Sequence, residues 1–272
     1  MNIIAEYSLR PSIAIFGVPL SRRNNPVYTA LLASYVKALA VEEDVECMSA
    51  PYINDIINIL EEELGEKLKL KICLEGTINK LPYISYYSIS TASLSLFLSE
   101  LLELDVKDIT ESLMGVETEL FEHELIQVLQ ALRLSTINDR PLLYRYGEEP
   151  VIIDYPRNCH ILLKEQEAVE TIERLVYRIE DIDSELSDLI TKIAGLVVIK
   201  AYNSIHKKLD SSLLNICCRL ENMIWYAEYK LNPPIVGDDL CTKWIPSIGK
   251  PIQITISFDA NNKCDKWVEA LC

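Results

Sequence analysis

Two neighbouring stretches decide the fold: KLKLKICLEGTI at positions 67–78 and PYISYYSISTA at positions 82–92. The first alternates between apolar and mostly polar residues, which predicts a half-buried β-strand. Pro82 and a serine-containing loop over Tyr83–Ser90 are expected next, followed by a helix over Thr91–Leu102. A strand that leads through a loop into a helix N-terminus predicts an anion site, because backbone amides and the positive helix end meet there.

Hydroxyl groups in this stretch are candidate phosphate donors, namely Ser85, Ser88, Ser90 and Thr91. A serine at a helix start also serves as an ordinary N-cap, and this second interpretation stays open. The sequence contains neither the Walker pattern nor G-x-G-x-x-G, and its eight glycines are isolated. A phosphate site here is therefore built without the run of glycine amides that usually wraps a phosphate.

Composition narrows the class of protein. The chain has 272 residues, of which 49% are hydrophobic, and a net charge of −15. No basic patch offsets this charge, so we expect binding neither to nucleic acid nor to an anionic membrane. No apolar run reaches the ~18–20 residues of a membrane span, and the N-terminus lacks the basic start of a signal peptide. These features predict a cytoplasmic protein.

The eight cysteines have irregular spacing and form no CxxC pair. A secreted disulfide scaffold would be shorter and denser in cysteine. We expect mostly reduced, buried thiols. One or two disulfides remain an alternative if the source is a hyperthermophile, where intracellular disulfides occur.

The remaining pattern predicts a single α+β unit of two lobes, 1–160 and 161–272. The stretch Val27–Val41 is ambiguous between a helix and a buried strand. Further strands are predicted at Leu9–Gly17, Val45–Met48, Ile161–Leu163 and Ile252–Phe258, with a hairpin over Leu142–Tyr155. Helices are predicted at Pro51–Leu64, at Val106–Leu132 with a break at Gly115, at Glu165–Leu231 with interruptions near Gly195 and Asn203, and at Cys264–Cys272.

The acidic segment around His123 is the strongest metal candidate. On a helix, Glu119 and His123 share one face, but a structural zinc site usually has paired cysteines or histidines. Magnesium needs only one or two carboxylates together with substrate phosphates, so Glu119 or Glu122 is a candidate ligand. A solvated acidic helix face is the alternative.

The order of these segments resembles the GHMP kinase superfamily of small-molecule kinases. Pro82–Ala92 stands where that family has its P-x-x-x-G-L-G-S-S-A-A loop, although all of the loop glycines are missing and tyrosines stand around their places. Pro11–Gly17 is similar to the family's opening strand. Asn138–Gly147 resembles the segment with the catalytic aspartate, and Ser247–Ile254 resembles the third motif.

Within the superfamily, the mevalonate diphosphate decarboxylase and mevalonate 3-kinase branch is the most similar. The stretch Arg133–Arg140 resembles the arginine-containing segment of that branch, and Ile256–Ala260 resembles its Tyr-Thr-Phe-Asp-Ala segment. The resemblance implies a GHMP-kinase-like, two-lobed α/β sandwich with mixed sheets. It also implies ATP and Mg²⁺ as cofactors.

The resemblance assigns roles residue by residue. Asp139 and Arg140 would be catalytic, with Asp139 orienting or deprotonating the attacking hydroxyl. Arg22 and Lys250 would hold an anionic substrate. The ATP phosphates would lie on Ser85, Ser88, Ser90 and Thr91, and the magnesium ion on Ser90 with Glu119 or Glu122.

The implied activity is an ATP-dependent kinase acting on a small hydroxy acid, such as a mevalonate-pathway intermediate. A homodimer is an open alternative for its assembly. The alternative function is a catalytically inactive protein of the same fold that binds or regulates. An Asp139 aligned with a magnesium carboxylate favours the enzyme. An Asp139 turned to solvent, with Tyr86 and Tyr87 filling the nucleotide cleft, favours the inactive protein.

Overall fold

The computed structural model describes residues 3–20, 25–50, 52–75, 83–154, 160–166, 184–207, 210–234, 241–248, 251–257 and 268–271. The strands are β1 (Ile3–Leu9), β2 (Ser12–Phe16), β3 (Val27–Leu32), β4 (Val36–Glu42), β5 (Leu70–Glu75), β6 (Leu142–Tyr144), β7 (Val151–Ile152), β8 (His160–Gln166), β9 (Cys241–Ile245), β10 (Ile252–Ser257) and β11 (Val268–Leu271). The helices are α1 (Ile53–Leu64), α2 (Tyr83–Leu102), α3 (Val106–Leu120), α4 (His123–Asn138), α5 (Ser184–Lys207) and α6 (Ser211–Tyr229).

The predicted α+β architecture is confirmed, and its strands form two sheets. The smaller sheet has the order β1-β4-β5, and the larger joins eight strands in the order β7-β6-β3-β11-β8-β10-β9, with β2 paired to β3. The strand pairings that the structure describes are antiparallel. The larger sheet contains strands from both sides of residue 160, and the proposed lobes 1–160 and 161–272 stay a prediction.

The ambiguous stretch Val27–Val41 contains two strands, β3 and β4. Every residue of β3 is buried, because it lies between its neighbours in the sheet and helix α4 on one face. A strand buried on both faces has no polar alternation, which explains why its period could not be recognised. In contrast, α1 ends at Gly65 in a left-handed conformation with φ 69°, as the sequence predicts.

The predicted helix breaks are wrong in both long helical regions. The break between α3 and α4 falls at Phe121 and Glu122 rather than at Gly115. Helix α5 continues through Gly195 and Asn203. Gly195 faces the Pro26 ring, where an added Cβ would lie 3.7 Å from Cδ, and the Asn203 amide donates to the Ile199 carbonyl within the helix. Both residues are thus accommodated without interrupting the helix.

The expected closing helix over Cys264–Cys272 is also wrong, because residues 268–271 form β11. This strand lies between β3 and β8, with Ala270 opposite both Leu32 and Ile161. Its hydrogen bonds go to segments far away in sequence, so local periodicity gave no sign of it. The strand predicted at Val45–Met48 is also wrong, because this segment has no regular secondary structure. It nevertheless contacts β5, where the amide of Leu74 donates to the Met48 carbonyl over 2.9 Å.

The part of the chain that the structure describes contains two disulfides, in agreement with the alternative rather than the expectation of mostly reduced thiols. Cys47 pairs with Cys73, with Cα atoms 5.7 Å apart, and Cys218 pairs with Cys241, with Cα atoms 5.8 Å apart. Cys217 is a free, buried thiol, and burial raises its pKa. None of the described helices is both long enough and apolar enough to cross a membrane.

Candidate functional site

The predicted loop over Tyr83–Ser90 is wrong, because helix α2 already begins at Tyr83. Serine and threonine side chains in a helix can donate to a carbonyl one turn earlier. Ser88 Oγ donates to the Ser85 carbonyl over 2.9 Å, and Thr91 Oγ1 donates to the Tyr87 carbonyl over 3.0 Å. The hydroxyls that suggested a polar loop are thus accommodated inside a buried helix.

The four predicted phosphate-binding hydroxyls face the protein interior. Ser85, Ser88, Ser90 and Thr91 are all fully buried. Ser85 Oγ donates to the Ser12 carbonyl of β2 over 2.8 Å. Ser90 Oγ is buried and has no hydrogen-bond partner among the residues that the structure describes. In this conformation three of the four hydroxyls bond to backbone carbonyls of the protein itself.

A buried carboxylate lies beside α2, but it is not one of the predicted metal ligands. Glu117 on α3 is fully buried and forms an ion pair with Arg133 of α4, which is fully buried as well. Tyr87 Oη donates to Glu117 Oε1 over 2.8 Å. Burial, followed by the charge of Glu117, raises the Tyr87 pKa well above its usual value. The Glu117 carboxylate is thus already neutralised by a cation of the protein.

The sequence contained a signal for this pair. Ile109, Leu113 and Val116 form the buried stripe of α3, and Glu117 follows Leu113 by four residues, on the same face. Glu119 and Glu122 are exposed. Among the described residues, no group of three His, Cys, Asp or Glu side chains could hold a metal ion. The predicted magnesium ligands Glu119 and Glu122 thus face solvent, whereas Ser90 is buried, and a magnesium site built from them stays a prediction.

Asp139 caps the C-terminal end of α4 in a left-handed conformation with φ 52°. Its Oδ2 accepts from Arg10 over 3.0 Å and from the Tyr35 hydroxyl over 3.3 Å. The side chain is 44% exposed. Arg140 follows it and is exposed, with its amide donating to the Ser135 carbonyl over 3.2 Å. The contacts of Asp139 thus tie the end of α4 to the β1–β2 and β3–β4 connections.

Helix α4 separates the predicted catalytic groups. Glu122 is its N-cap and Asp139 its C-cap. The 16 residues of the helix rise by 1.5 Å each, which gives a separation of about 24 Å along the axis. The structure therefore does not bring Asp139 together with Glu119 or Glu122. Arg22 and Lys250 lie outside the described residues.

A cleft at the other end of α4 was not found by sequence reasoning. We call it the aromatic cleft; it has a volume of about 300 Å³. It lies between the segment after β2, the start of α1, the α3–α4 junction, the C-terminal end of α6 and the β9–β10 connection. Its lining consists of Pro19, Tyr52, Leu120, Phe121, Glu122, Glu124, Leu125, Trp225, Tyr229, Pro246, Ser247, Ile248 and Pro251.

A second cavity of about 390 Å³ adjoins the aromatic cleft and shares Pro19 and Glu124 with it. Its lining includes Glu111, His123 and Gln127. The lining residues that the structure describes in both cavities include carboxylates but neither lysine nor arginine. Phe121 lies at the inner wall of the cleft, where its ring packs edge-on against Tyr87 with the centroids 5.4 Å apart. Tyr86 packs elsewhere, beside Leu9 and Ile89.

Solved structures of mevalonate-pathway enzymes have the same fold. The chain is similar to L. major mevalonate kinase in complex with R-mevalonate, at 13% identity and a TM-score of 0.65 over 99% of this chain and 98% of that one. It is also similar to Streptococcus pneumoniae phosphomevalonate kinase in complex with phosphomevalonate and AMPPNP, at 13% identity and a TM-score of 0.64 over 95% and 93%.

A mevalonate diphosphate decarboxylase from Legionella pneumophila matches at 13% identity and a TM-score of 0.54, over 97% of this chain and 100% of that one. No family model and no curated protein matches the sequence. The predicted GHMP-kinase-like fold is therefore confirmed over nearly the whole chain.

Proposed function

We propose that this protein binds a small molecule on the fold of mevalonate-pathway kinases and does not transfer a phosphoryl group. The observation that carries the proposal is the position of Asp139, one helix length of about 24 Å from Glu122. Phosphoryl transfer depends on positioning and on charge neutralisation at one point. A carboxylate at the far end of α4, paired with Arg10, is badly placed for that task.

The state of Glu117 supports the same proposal. A divalent cation beside α2 needs a carboxylate whose charge is available. The positive charge of Arg133 already neutralises the Glu117 carboxylate, and Tyr87 donates a further hydrogen bond to it. A metal ion at this position would have to displace Arg133 or lie next to its guanidinium, and both arrangements are unfavourable in a buried environment.

A kinase is the second candidate, and the order of elements favours it. Strand β5 ends at Glu75 and helix α2 begins at Tyr83, so a strand precedes the helix that contains the predicted phosphate-binding hydroxyls. The phosphomevalonate kinase of the same fold was solved with AMPPNP. In this alternative, the protein would transfer phosphate from Mg-ATP to a hydroxy acid. The catalytic residues would be Asp139 and Arg140, and the substrate would be held by Arg22 and Lys250. A cytoplasmic location and a homodimer stay predictions from the sequence.

An assay of ADP release separates the two functions. The intact protein is incubated with Mg-ATP and, in turn, with mevalonate, phosphomevalonate and diphosphomevalonate, and thermal unfolding is followed under the same conditions. We expect ADP formation at the enzyme-free rate. ADP formation that depends on one of these substrates would establish the kinase and refute the proposal, and its loss in Asp139→Asn would assign Asp139 to the reaction.

A further inference from the structure

Two pairs of aromatic rings line the aromatic cleft. Tyr52 and Phe121 pack edge-on with their centroids 5.3 Å apart, and the rings of Trp225 and Tyr229 lie 4.9 Å apart. The first pair comes from the start of α1 and the end of α3, and the second comes from α6. Aromatic faces attract cations through their quadrupole, most strongly where water is excluded.

The aromatic residues are held in place by the fold. Tyr229 donates its hydroxyl to the Pro19 carbonyl, and Trp225 is 1% exposed. Tyr52 has a left-handed backbone with φ 63°, which is uncommon for any residue other than glycine. The rings are therefore positioned before any ligand arrives, which lowers the entropic cost of binding.

Ser247 adds an unsatisfied polar group to this lining. The residue is 4% exposed, and its Oγ has no hydrogen-bond partner among the residues that the structure describes. A buried hydroxyl without a partner is costly. Because Ser247 lines the cleft, a ligand with its own hydroxyl can supply the missing hydrogen bond.

The charges around the cleft favour a cation. Glu122 and Glu124 line it and also have contacts elsewhere in the protein, and the net charge of the chain is −15. The electrostatic field of a strongly acidic protein concentrates positively charged ligands and disfavours anions such as nucleotide phosphates. The ligand class therefore differs from the nucleotides and mevalonate phosphates bound by the proteins that share this fold.

We propose that the aromatic cleft binds a small organic cation, an ammonium compound that also carries a hydroxyl group. The inference rests on the proposed function, since it needs the cleft to be a binding site and not a phosphoryl-transfer centre. The volume of about 300 Å³ lies at the lower end of ligand pockets, which suits a compact cation. Trp225 in the cleft wall provides a fluorescence signal for binding.

Choline and 3,3-dimethylbutan-1-ol are the test ligands, because they have nearly the same shape and differ in charge. Binding to the intact protein is measured by calorimetry and by tryptophan fluorescence. We expect choline to bind at least about tenfold more tightly than the neutral alcohol. Equal affinity for the two ligands, or no binding of choline up to about 10 mM, would overturn the inference.

Three variants test the named contacts. Tyr52→Leu and Ser247→Ala should each weaken choline binding several-fold, whereas Tyr226→Leu should not, since Tyr226 is an equally exposed tyrosine outside the lining. Equal effects of Tyr52→Leu and Tyr226→Leu would contradict the cleft as the binding site. ADP formation is measured on the same samples. If choline does not bind and no ADP forms, only this inference is refuted. Substrate-dependent ADP formation refutes the proposed function.

Discussion

Arg133 and Glu117 form an ion pair inside the protein, and both side chains are fully buried. The Arg133 guanidinium also donates to the Thr110 carbonyl over 3.1 Å and to Gln130 Oε1 over 2.9 Å. The pair therefore joins α3 to α4 through several charge-assisted hydrogen bonds, and Tyr87 attaches α2 to the same carboxylate. Three helices thus depend on one buried charge pair.

Removal of one partner of this pair should be severely destabilising. Arg133→Met leaves the Glu117 carboxylate buried without its cation, and we expect a loss of about 3–5 kcal/mol in the free energy of unfolding. The double variant Arg133→Met with Glu117→Gln should recover part of the loss, because no unpaired charge remains. Urea denaturation measures both. A single variant that loses less than about 1 kcal/mol would contradict the pair's structural role.

Gly17 and Gly115 provide a matched comparison of backbone constraints. Gly17 has φ +124°, and an added Cβ would lie 2.9 Å from the Pro26 carbonyl oxygen and from Val27 Cα. Gly17→Ala should therefore be destabilising by at least about 2 kcal/mol. Gly115 lies inside α3 with open space around its Cα, so Gly115→Ala should stabilise by about 0.5–1 kcal/mol. Thermal unfolding of both variants checks the signs.

Sequence patterns identified elements whose two faces differ. The alternation in Lys67–Ile78 correctly predicted β5, which spans Leu70–Glu75 among the described residues. Helix α2 was predicted to start too late, since its early serines suggested a loop while their hydroxyls bond within the helix and to β2. Strand β11 was missed, because its hydrogen-bond partners Leu32 and Ile161 lie far away in sequence.

The candidate site could not be predicted from local patterns. The aromatic cleft is lined by Tyr52, Phe121, Trp225 and Ser247, and these residues come from four separate segments. Only tertiary packing brings them together. Glu122 and Asp139, which the family resemblance selected for one site, lie at opposite ends of α4, because a resemblance between motifs gives their order along the chain and not their positions in this fold.

Buried tyrosines should make the protein less stable in alkali. Burial is the largest cause that raises the pKa of Tyr144 to about 12, followed by Tyr146 and Glu111. The phenol is neutral in both states below pH ~10, the unfolded pKa. The stability that comes from its raised folded pKa is therefore fully present below pH ~10 and is lost as the pH rises through about 12.

Chemical denaturation between pH 8 and 12 measures this loss, and absorbance of the phenolate at alkaline pH reports the ionisation. Tyr144→Phe should flatten the decline in stability, because phenylalanine has no proton to release in the unfolded state. Tyr226→Phe, at an exposed position, serves as the control. The assignment fails if both variants lose stability with the same slope as the parent protein.

The two disulfides should stabilise the fold against heat. Cys47 and Cys73 are 26 residues apart and Cys218 and Cys241 are 23 apart, and closing loops of this length contributes about 2–4 kcal/mol each. A reducing agent should lower the melting temperature of the parent protein. It should have a smaller effect on Cys47→Ser, in which one disulfide is already lost, and an unchanged shift in that variant would contradict the pairing.

Asp139→Asn distinguishes ligand binding in the aromatic cleft from ligand binding near Asp139. Asparagine tolerates the left-handed conformation at this C-cap, so the helix end is preserved while the charge opposite Arg10 is removed. We expect a small loss of stability of about 0–1 kcal/mol, since the pair is partly exposed. We also expect unchanged choline affinity, because the aromatic cleft lies at the other end of α4. Calorimetry on the variant and on Ser247→Ala makes the comparison: a loss of binding in Ser247→Ala alone agrees with the cleft, whereas a loss in Asp139→Asn would place the ligand elsewhere.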